Sequence, residues 1–325
     1  MTGVPEMMRA MAIHRFGGTD AFEMVRLPVP KPGPREVLIR IQFAGVGVWD
    51  AFEREGGYAR MLGTEPAFPY VLGSEGAGVV AAVGDEVERF ARGDRVFAVG
   101  FLNPRGGFYA EYTAVNEDLV AFLPEGMPPE QAAAVGGVGL TALRGLQDVL
   151  EVTPGSSLLI FGASGGVGHM AIQLAKRLGV RVLAVASGAD GVALARRLGA
   201  DAAVHGRADD VVAAARAFAP EGVDVALLTA GGETAQAALS TLREGGRVAY
   251  PNGVRPEPVA PRGVRVESYN GEPDGDIVRR LVRLIEQGPC VVHIGGSFAL
   301  ERAADAHHAL EEHYLGKLVL HIGGR

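Results

Sequence analysis

The chain has 325 residues, enough for two domains with large cores, and its 48% hydrophobic and 21% charged residues are ordinary for a globular protein. With 31 basic and 38 acidic residues its net charge is −7, and it has no cluster of Lys or Arg that would favour nucleic acid or an anionic membrane as a partner. No apolar run reaches about 18 residues, and the N-terminal segment has no long apolar core, so we expect a cytoplasmic protein.

Residues 1–122 have the pattern of a mostly β domain. Within 36–43, apolar residues alternate with Arg40 and Gln42, which is typical of a half-buried strand. Further strands are predicted at 78–83, 95–99 and 109–115, with Gly-Asp turns between them. Short strands at this spacing predict a small barrel or sandwich.

Residues 123–262 alternate between strands and helices after a helix predicted at 130–150. The predicted strands are 158–161, 180–186, 202–204, 223–228 and 247–250, and the helices between them are 167–178, 190–198, 209–217 and 233–242. This alternation predicts an α/β domain with a doubly wound parallel sheet. Beyond it we predict a strand at 264–269, helices at 277–287 and 300–312, and a final strand at 317–322.

One segment, 156–179, combines a strand, a glycine turn (GASGGVG, 162–168) and a helix. Backbone N–H groups at a helix N-terminus are unpaired and carry partial positive charge, so this arrangement favours a pyrophosphate. A side chain at Gly165 would keep the phosphates away from the backbone, and Gly168 lets the helix pack closely on the strand. The predicted cofactor-binding residues of the turn are Ser164, Gly165, Gly166, Val167 and Gly168.

The single cysteine, Cys290, excludes an intramolecular disulfide and a thiolate-rich zinc site. Its apolar neighbours, Val291-Val292, favour a small packed residue over a nucleophile. The eight histidines are scattered apart from His307-His308, which would point apart on a helix, so surface or structural roles are the better interpretation.

Segments spread over nearly the whole chain match one family in order. They read GSEGAGVV at 73–80, GDRV at 93–96, GGFYAEY at 106–112, GLTA at 139–142, the turn at 162–168, Gly231-Gly232, and LGKLVL at 315–320. Together they resemble the zinc-free quinone oxidoreductase branch of the medium-chain dehydrogenase/reductase superfamily. The resemblance implies a GroES-like catalytic domain (1–122), a Rossmann dinucleotide-binding domain (123–262) and a C-terminal return to the first domain (263–325). It also implies a homodimer.

The segments that hold catalytic zinc in the family's alcohol dehydrogenases lack their ligands here. The pattern G-x-C-H-x-D reads GVGVWD at 45–50, and G-H-E reads GSE at 73–75. Gly47 and Ser74 therefore stand in place of a cysteine and a histidine, whereas zinc needs three or four N, S or O ligands. We predict an enzyme without a metal.

The second strand of the nucleotide-binding domain ends without the carboxylate typical of an NAD site, about 20 residues past the turn. A carboxylate would repel a 2′-phosphate, whereas the Ser187 hydroxyl can donate to one, so NADPH is the predicted cofactor. Asp190 lies three residues later, where capping the next helix explains it. The Lys and Tyr that family members often add align with Gly191 and Gly206. Arg207 is the nearest replacement cation, although an exposed arginine without this role is an equal alternative.

The resemblance assigns further residues to the site. Tyr58 matches a tyrosine that often lines the family's cleft, where it would donate a hydrogen bond to the substrate or pack against it. Gly47 and Phe52 replace an Asn and a Tyr common in this branch. Trp49 and Phe52 would form an apolar wall for a flat substrate, or part of a core, and Thr141 matches a residue beside the nicotinamide. The other residues assigned to the cofactor are Gly47, Ala230, Gly231, Tyr250, Asn252, Gly253 and Lys317.

The predicted function is that of an NADPH:quinone oxidoreductase, which transfers hydride to a small electrophile, either a quinone or an activated enone. Such acceptors need only positioning and a few hydrogen-bond donors from the protein. Two alternatives stay open. One is an enoyl-thioester reductase, for which the sequence shows no obvious basic docking patch. The other is an NADPH-binding protein without turnover, because the usual Asn and Tyr are missing.

Overall fold

A computed structural model describes residues 3–64 and 66–323. The chain divides into two compact units. The first comprises Met1–Gly137, Pro273–Val282 and Val292–Arg325, and the second comprises Val138–Glu272 and Arg283–Val291. The boundary expected after residue 122 falls inside the first unit, because the segment that follows bonds within that unit: Gly137 N–H donates to Glu75 and Val292 N–H to Gln131.

The strands of the first unit form two sheets. Their bounds are β1 Met7–Ile13, β2 Phe22–Pro28, β3 Glu36–Val46, β4 Tyr70–Val71, β5 Glu75–Val83, β6 Arg95–Val99, β7 Tyr112–Asn116, β8 Val120–Phe122, and, near the C-terminus, Ile294–Ala299 and Lys317–His321. The smaller sheet has the order β2-β1-β4. In the larger one the strand Lys317–His321 pairs with β3, followed by β5, β6 and β8, while β7 also pairs with β3. Ile39, Val80 and Leu318 are buried in its core.

The second unit is a six-stranded parallel sheet. Its strands are β9 Ser157–Phe161, β10 Arg181–Ala186, β11 Ala202–His205, β12 Val223–Leu228, β13 Leu242–Pro251 and β14 Arg265–Tyr269, in the order β11-β10-β9-β12-β13-β14. Numbered from β9, this is 3-2-1-4-5-6, the order of a doubly wound nucleotide-binding fold, and it reverses between β9 and β12. Because β14 pairs with β13, the sheet continues past residue 262, where we had expected the domain to end.

The helices of the chain are mostly short. Their bounds are α1 Val48–Arg54, α2 Gly57–Leu62, α3 Pro129–Ala132, α4 Gly136–Leu143, α5 Gly166–Arg177, α6 Ala189–Arg197, α7 Val211–Phe218, α8 Glu233–Ala238, α9 Gly275–Ile285 and α10 Ala303–Ala309. The helix predicted at 130–150 is interrupted after α3 and ends in a π-helical turn, Arg144–Val149. Among the described residues, no helix is both long and apolar enough to cross a membrane. The last strands are β15 Ile294–Ala299 and β16 Lys317–His321.

Candidate active site and cofactor-binding residues

Most of the predicted cofactor-binding residues lie at one edge of the parallel sheet. The strands run in the same direction, so the segments that follow them emerge together at the carboxyl edge. The turn 162–168 follows β9, and Ala230 and Gly231 follow β12, its neighbour across the point where the strand order reverses. Ser187 follows β10, Arg207 follows β11, and Asn252 and Gly253 follow β13. Such an edge is where open α/β sheets bind ligands.

The glycine turn leaves room for a ligand at Gly165 but no room for a side chain at Gly168. A Cβ on Gly165, which has an ordinary φ of −78°, would meet only Gly162 O, at 3.5 Å. A Cβ on Gly168 would lie 2.3 Å from Gly162 O and 2.7 Å from Ala163 Cα, so this glycine is needed for close packing of α5 on the turn. The open space at Gly165 and the unpaired N–H groups of the twelve-residue α5 fit a pyrophosphate. Ser164 is buried and lies against Gly191.

The ends of β10 and β11 are held side by side. Ala186 pairs with His205 in the sheet, and Gly206 N–H donates to Ala186 O at 2.7 Å. Ser187 and Arg207 therefore follow adjacent strand ends, and both are exposed. Asp190 lies in the first turn of α6, whose N-cap is Gly188, and its carboxylate accepts from Gly191 N–H at 2.8 Å. An exposed hydroxyl and an exposed guanidinium at this edge are suitable partners for a phosphate.

Tyr269, in β14, connects two residues that the sequence had assigned to the cofactor separately. Its buried hydroxyl donates to Thr141 O at 2.9 Å, and its carbonyl accepts from Asn252 N–H at 2.8 Å. Asn252 also donates through its side chain to Asn270. Gly253 is open, whereas Tyr250 is nearly buried in the core of the sheet. Tyr269 was not predicted as a site residue, because it lies beyond residue 262, where the nucleotide-binding domain was expected to end.

Tyr58, in the first unit, stands between two aromatic rings. Its ring packs edge-to-face on Phe52 at 4.9 Å and on Phe101 at 5.0 Å between centroids. Burial, and then the nearby Asp50 and Glu53 carboxyls, raise the pKa of Tyr58 above its usual value. The hydroxyl is therefore protonated at neutral pH and available as a hydrogen-bond donor. Phe101 was not predicted.

Asp50 is the end of a buried chain of hydrogen bonds. It accepts from Gly47 N–H at 2.8 Å, from the Ser74 hydroxyl at 2.7 Å and from the Tyr109 hydroxyl at 3.3 Å. Burial raises the pKa of Asp50 to about 6, against the opposing effects of the Ser74 hydroxyl, the Lys317 charge and the Gly47 N–H. At the position where the zinc-binding pattern has a histidine, Ser74 therefore donates a hydrogen bond to Asp50.

His307 continues this chain. Tyr109 Oη lies 3.1 Å from His307 Nε2, and Arg54 lies 3.0 Å from His307 Nδ1. Because the guanidinium can only donate, His307 Nδ1 accepts and Nε2–H donates to Tyr109, which in turn donates to Asp50. Burial and the Arg54 charge lower the pKa of His307 to about 3, which keeps the ring neutral. Of the surface and structural roles considered for the histidines, the structure shows the structural one for His307.

Lys317 and Glu75 form an ion pair that is almost completely buried. Their side chains are 3% and 1% exposed, and Nζ lies 2.8 Å from Oε1, although the angles are not those of a hydrogen bond. Glu75 Oε2 also accepts from Gly137 N–H, and Lys317 Nζ lies 4.3 Å from the centre of the Trp49 ring. A Cβ on Gly47 would be 2.4 Å from the same ring. Gly47 and Lys317 therefore both lie against the Trp49 ring, and the Lys317 side chain is enclosed by protein rather than exposed to a ligand.

No group of three His, Cys, Asp or Glu side chains in 3–64 and 66–323 is arranged to hold a metal ion. A cavity of about 430 Å³ in the first unit, lined by Arg40, Phe43 and His321 among others, contains none of the predicted site residues.

Comparison with known proteins identifies the family. The alcohol dehydrogenase GroES-like domain matches residues 33–125, and the zinc-binding dehydrogenase model matches 166–257, within the second unit. Quinone oxidoreductase of Mus musculus is 33% identical over 316 residues, 93% of each chain. The chain belongs to the quinone oxidoreductase-like branch of the medium-chain dehydrogenase/reductase family. It is therefore an oxidoreductase, and the predicted GroES-like and Rossmann folds are confirmed.

Solved structures of this medium-chain family share the fold over the whole chain. One described as an NAD-dependent alcohol dehydrogenase is 31% identical, with a TM-score of 0.86 over 97% of this chain and 100% of its own. A mycobacterial protein solved in complex with NADPH is 30% identical, with a TM-score of 0.80 over 97% and 100%. Similar members of the family thus include one named as NAD-dependent and one bound to NADPH.

Proposed function

We propose that this enzyme is an NADPH-dependent reductase that delivers hydride to a quinone or activated enone without a metal. The observation that carries the proposal is the position of Tyr58, whose ring packs edge-to-face on Phe52 and Phe101 and whose hydroxyl is protonated. The three rings together offer an apolar aromatic surface on which a flat acceptor can pack, and the hydroxyl suits its carbonyl oxygen. The similarity to quinone oxidoreductase of Mus musculus supports the same substrate class.

In this proposal the second unit binds the cofactor and the first contacts the acceptor. The N-terminus of α5 binds the pyrophosphate beside Gly165, and Ser187 with Arg207 binds the 2′-phosphate. The bound NADPH supplies the hydride. Tyr58 donates a hydrogen bond to the acceptor oxygen as negative charge develops there. The homodimer and the cytoplasmic location stay predictions.

The residues present favour electron-poor acceptors. A reduced quinone is a stabilised anion, which water can protonate after hydride transfer. An alkoxide formed from a simple ketone needs a strong acid or a metal as it forms. A tyrosine whose pKa is raised is a poor acid, so Tyr58 can stabilise an oxyanion by a hydrogen bond but does not readily protonate it. Gly47 has no side chain that could protonate the oxyanion in place of Tyr58.

Replacement of Tyr58 by phenylalanine tests the proposed role. We expect kcat/KM for 1,4-benzoquinone to fall about tenfold, as for the loss of one hydrogen bond to a developing charge. The ring and its contacts with Phe52 and Phe101 are retained, so the melting temperature should change little. A loss of several thousandfold would make Tyr58 an essential acid, and no loss would place the acceptor elsewhere.

The cofactor preference follows from Ser187. We expect NADPH to bind at least about tenfold more tightly than NADH, a difference of about 1.4 kcal/mol, in calorimetric titrations. Ser187→Asp should reverse the preference, because its carboxylate repels the 2′-phosphate and can accept from the ribose hydroxyls of NADH. Ser187→Asn, whose side chain is as large as that of Asp but neutral, is the matched control. In this variant NADPH should still bind more tightly than NADH. Equal affinities in the wild-type enzyme would contradict the assignment.

A further inference from the structure

Helix α1 buries its three charged residues and exposes two of its apolar ones. Asp50, Glu53 and Arg54 are buried in hydrogen bonds, whereas Val48 and Phe52 are 61% and 44% exposed. A surface helix normally does the opposite, burying its apolar face and exposing its charges. The inversion leaves two apolar side chains, four residues apart and hence on one side of the helix, facing away from the fold.

Helix α2 continues this apolar surface beyond Tyr58. Met61 and Leu62 are 64% and 54% exposed and lie three and four residues after Tyr58, on the same side of the helix. Arg60 lies off that side and donates to Glu55 O at 2.7 Å. We call Val48, Phe52, Met61 and Leu62 the apolar strip. From Tyr58 to Leu62 it extends about 6 Å along the helix, with side chains reaching further.

We propose that the apolar strip binds an alkyl chain carried by the acceptor, so that the enzyme prefers quinones or enones with an apolar tail. The inference rests on the proposed function, because it places the ring of the acceptor at Tyr58, where Phe52 is both a wall of the aromatic cluster and a member of the strip. If the ring of the acceptor binds at Tyr58, Met61 and Leu62 of the strip lie on the next turn of the same helix. The strip therefore continues from the position of the ring, which favours an alkyl tail attached to that ring as its occupant.

Two other occupants fit the strip less well. Four partly exposed side chains offer on the order of a few hundred Å², less than the roughly 800 Å² that each partner buries in a typical stable interface. The surrounding segment 48–64 has Asp50, Glu53 and Glu55 against Arg54 and Arg60, so it lacks the basic cluster that attracts anionic lipid.

The test uses two acceptors with one head group, 2,3-dimethoxy-5-methyl-1,4-benzoquinone without a chain and with a decyl chain. Each fully buried methylene adds about fourfold to binding. About five half-buried methylenes should therefore raise kcat/KM for the decyl quinone about thirtyfold, through KM. In Met61→Gln/Leu62→Gln this advantage should fall about tenfold, while kcat/KM for the chainless quinone stays within about twofold. Both side chains are exposed, so the variant should fold normally.

Val4→Gln/Val259→Gln is the matched control, since it makes two exposed apolar residues polar at other places and should leave the advantage of the decyl quinone unchanged.

Binding can also be followed without turnover through quenching of Trp49, the only tryptophan, by the quinone. If neither quinone is reduced but the decyl compound still binds more tightly in a strip-dependent way, the proposed function fails and the tail site stands. Equal kcat/KM for both quinones, or an advantage that survives the strip variant, overturns the inference. So does a strip variant that dissociates a dimer in sedimentation, or that loses binding to phosphatidylcholine–phosphatidylglycerol vesicles.

Discussion

A Gly165→Ala enzyme is expected to keep its stability and to bind NADPH about a hundredfold more weakly, a loss of about 2.7 kcal/mol. The added methyl group meets no atom closer than 3.5 Å, and the φ of −78° suits alanine. It would occupy the space through which a pyrophosphate approaches the N-terminus of α5. Hydrogen bonds from backbone N–H groups to a charged ligand contribute about 1.5–3 kcal/mol each, so losing or lengthening one or two accounts for the effect. Calorimetric titration gives the affinity.

Gly288→Ala is the control for this substitution. Gly288 is exposed, and a Cβ there would meet no atom within 4 Å, but it lies far along the chain from the glycine turn. This variant should bind NADPH as the wild type does. If Gly165→Ala binds NADPH within about threefold of the wild type, the pyrophosphate does not lie where the turn predicts. If it melts at a much lower temperature, the open space beside Gly165 is not present in solution.

The second large effect concerns the buried ion pair. Lys317→Met should lower the free energy of unfolding of the first unit by about 3–5 kcal/mol, because it leaves the Glu75 carboxylate buried with Gly137 N–H as its remaining donor. Methionine is similar in length, so little volume is lost. Urea unfolding followed by the fluorescence of Trp49, which lies in the same unit, measures the change.

Two further variants test whether burial of the two charges causes this loss. Arg302→Met removes an exposed partner of Asp305 in the same unit, which should cost about 1 kcal/mol or less. Glu75→Gln/Lys317→Met removes both buried charges and should recover much of the stability lost in Lys317→Met. If the Glu75 and Lys317 substitutions destabilise additively, or if Lys317→Met costs no more than Arg302→Met, the pair does not act as a buried ion pair.

The parts of the fold that could be predicted are those whose signal is local. The strand, turn and helix of 156–179 follow one another without interruption, and the structure places β9, the turn and α5 within a residue or two of the prediction. The first two strands were missed. The segment MMRAMAI of β1 has methionines, alanines and an arginine in place of β-branched residues, and most of it is buried on both faces, so it shows no alternation. Helices α1 and α2, of seven and six residues, are too short for a periodic signal.

The candidate site shows the same division. The positions of Gly165, Ser187 and Arg207 at one edge of the sheet could be predicted, because each residue follows a strand of the predicted parallel sheet. The chain of hydrogen bonds from Arg54 through His307 and Tyr109 to Asp50 could not be predicted, because its members are brought together from three parts of the chain, with Asp50 and Arg54 both in α1. Tyr109 and His307 are 198 positions apart, and neither shows an unusual local pattern. Phe101 likewise reaches Tyr58 only through the fold of the first unit.

The most direct test of a metal-free quinone reductase is the oxidation of NADPH by the purified enzyme in the presence of a chelator. 1,4-Benzoquinone, an activated enone, crotonyl thioester and cyclohexanone are offered in parallel, with zinc measured in the same sample. We expect turnover of the quinone and the enone, none of cyclohexanone, and no stoichiometric zinc, because Tyr58 can stabilise an oxyanion while Gly47 and Ser74 supply no Cys or His ligand. Preference for the thioester would favour the enoyl reductase alternative, and no turnover of any acceptor would favour a binding protein. Rapid reduction of cyclohexanone that is lost in chelator and restored by zinc would contradict the proposed mechanism.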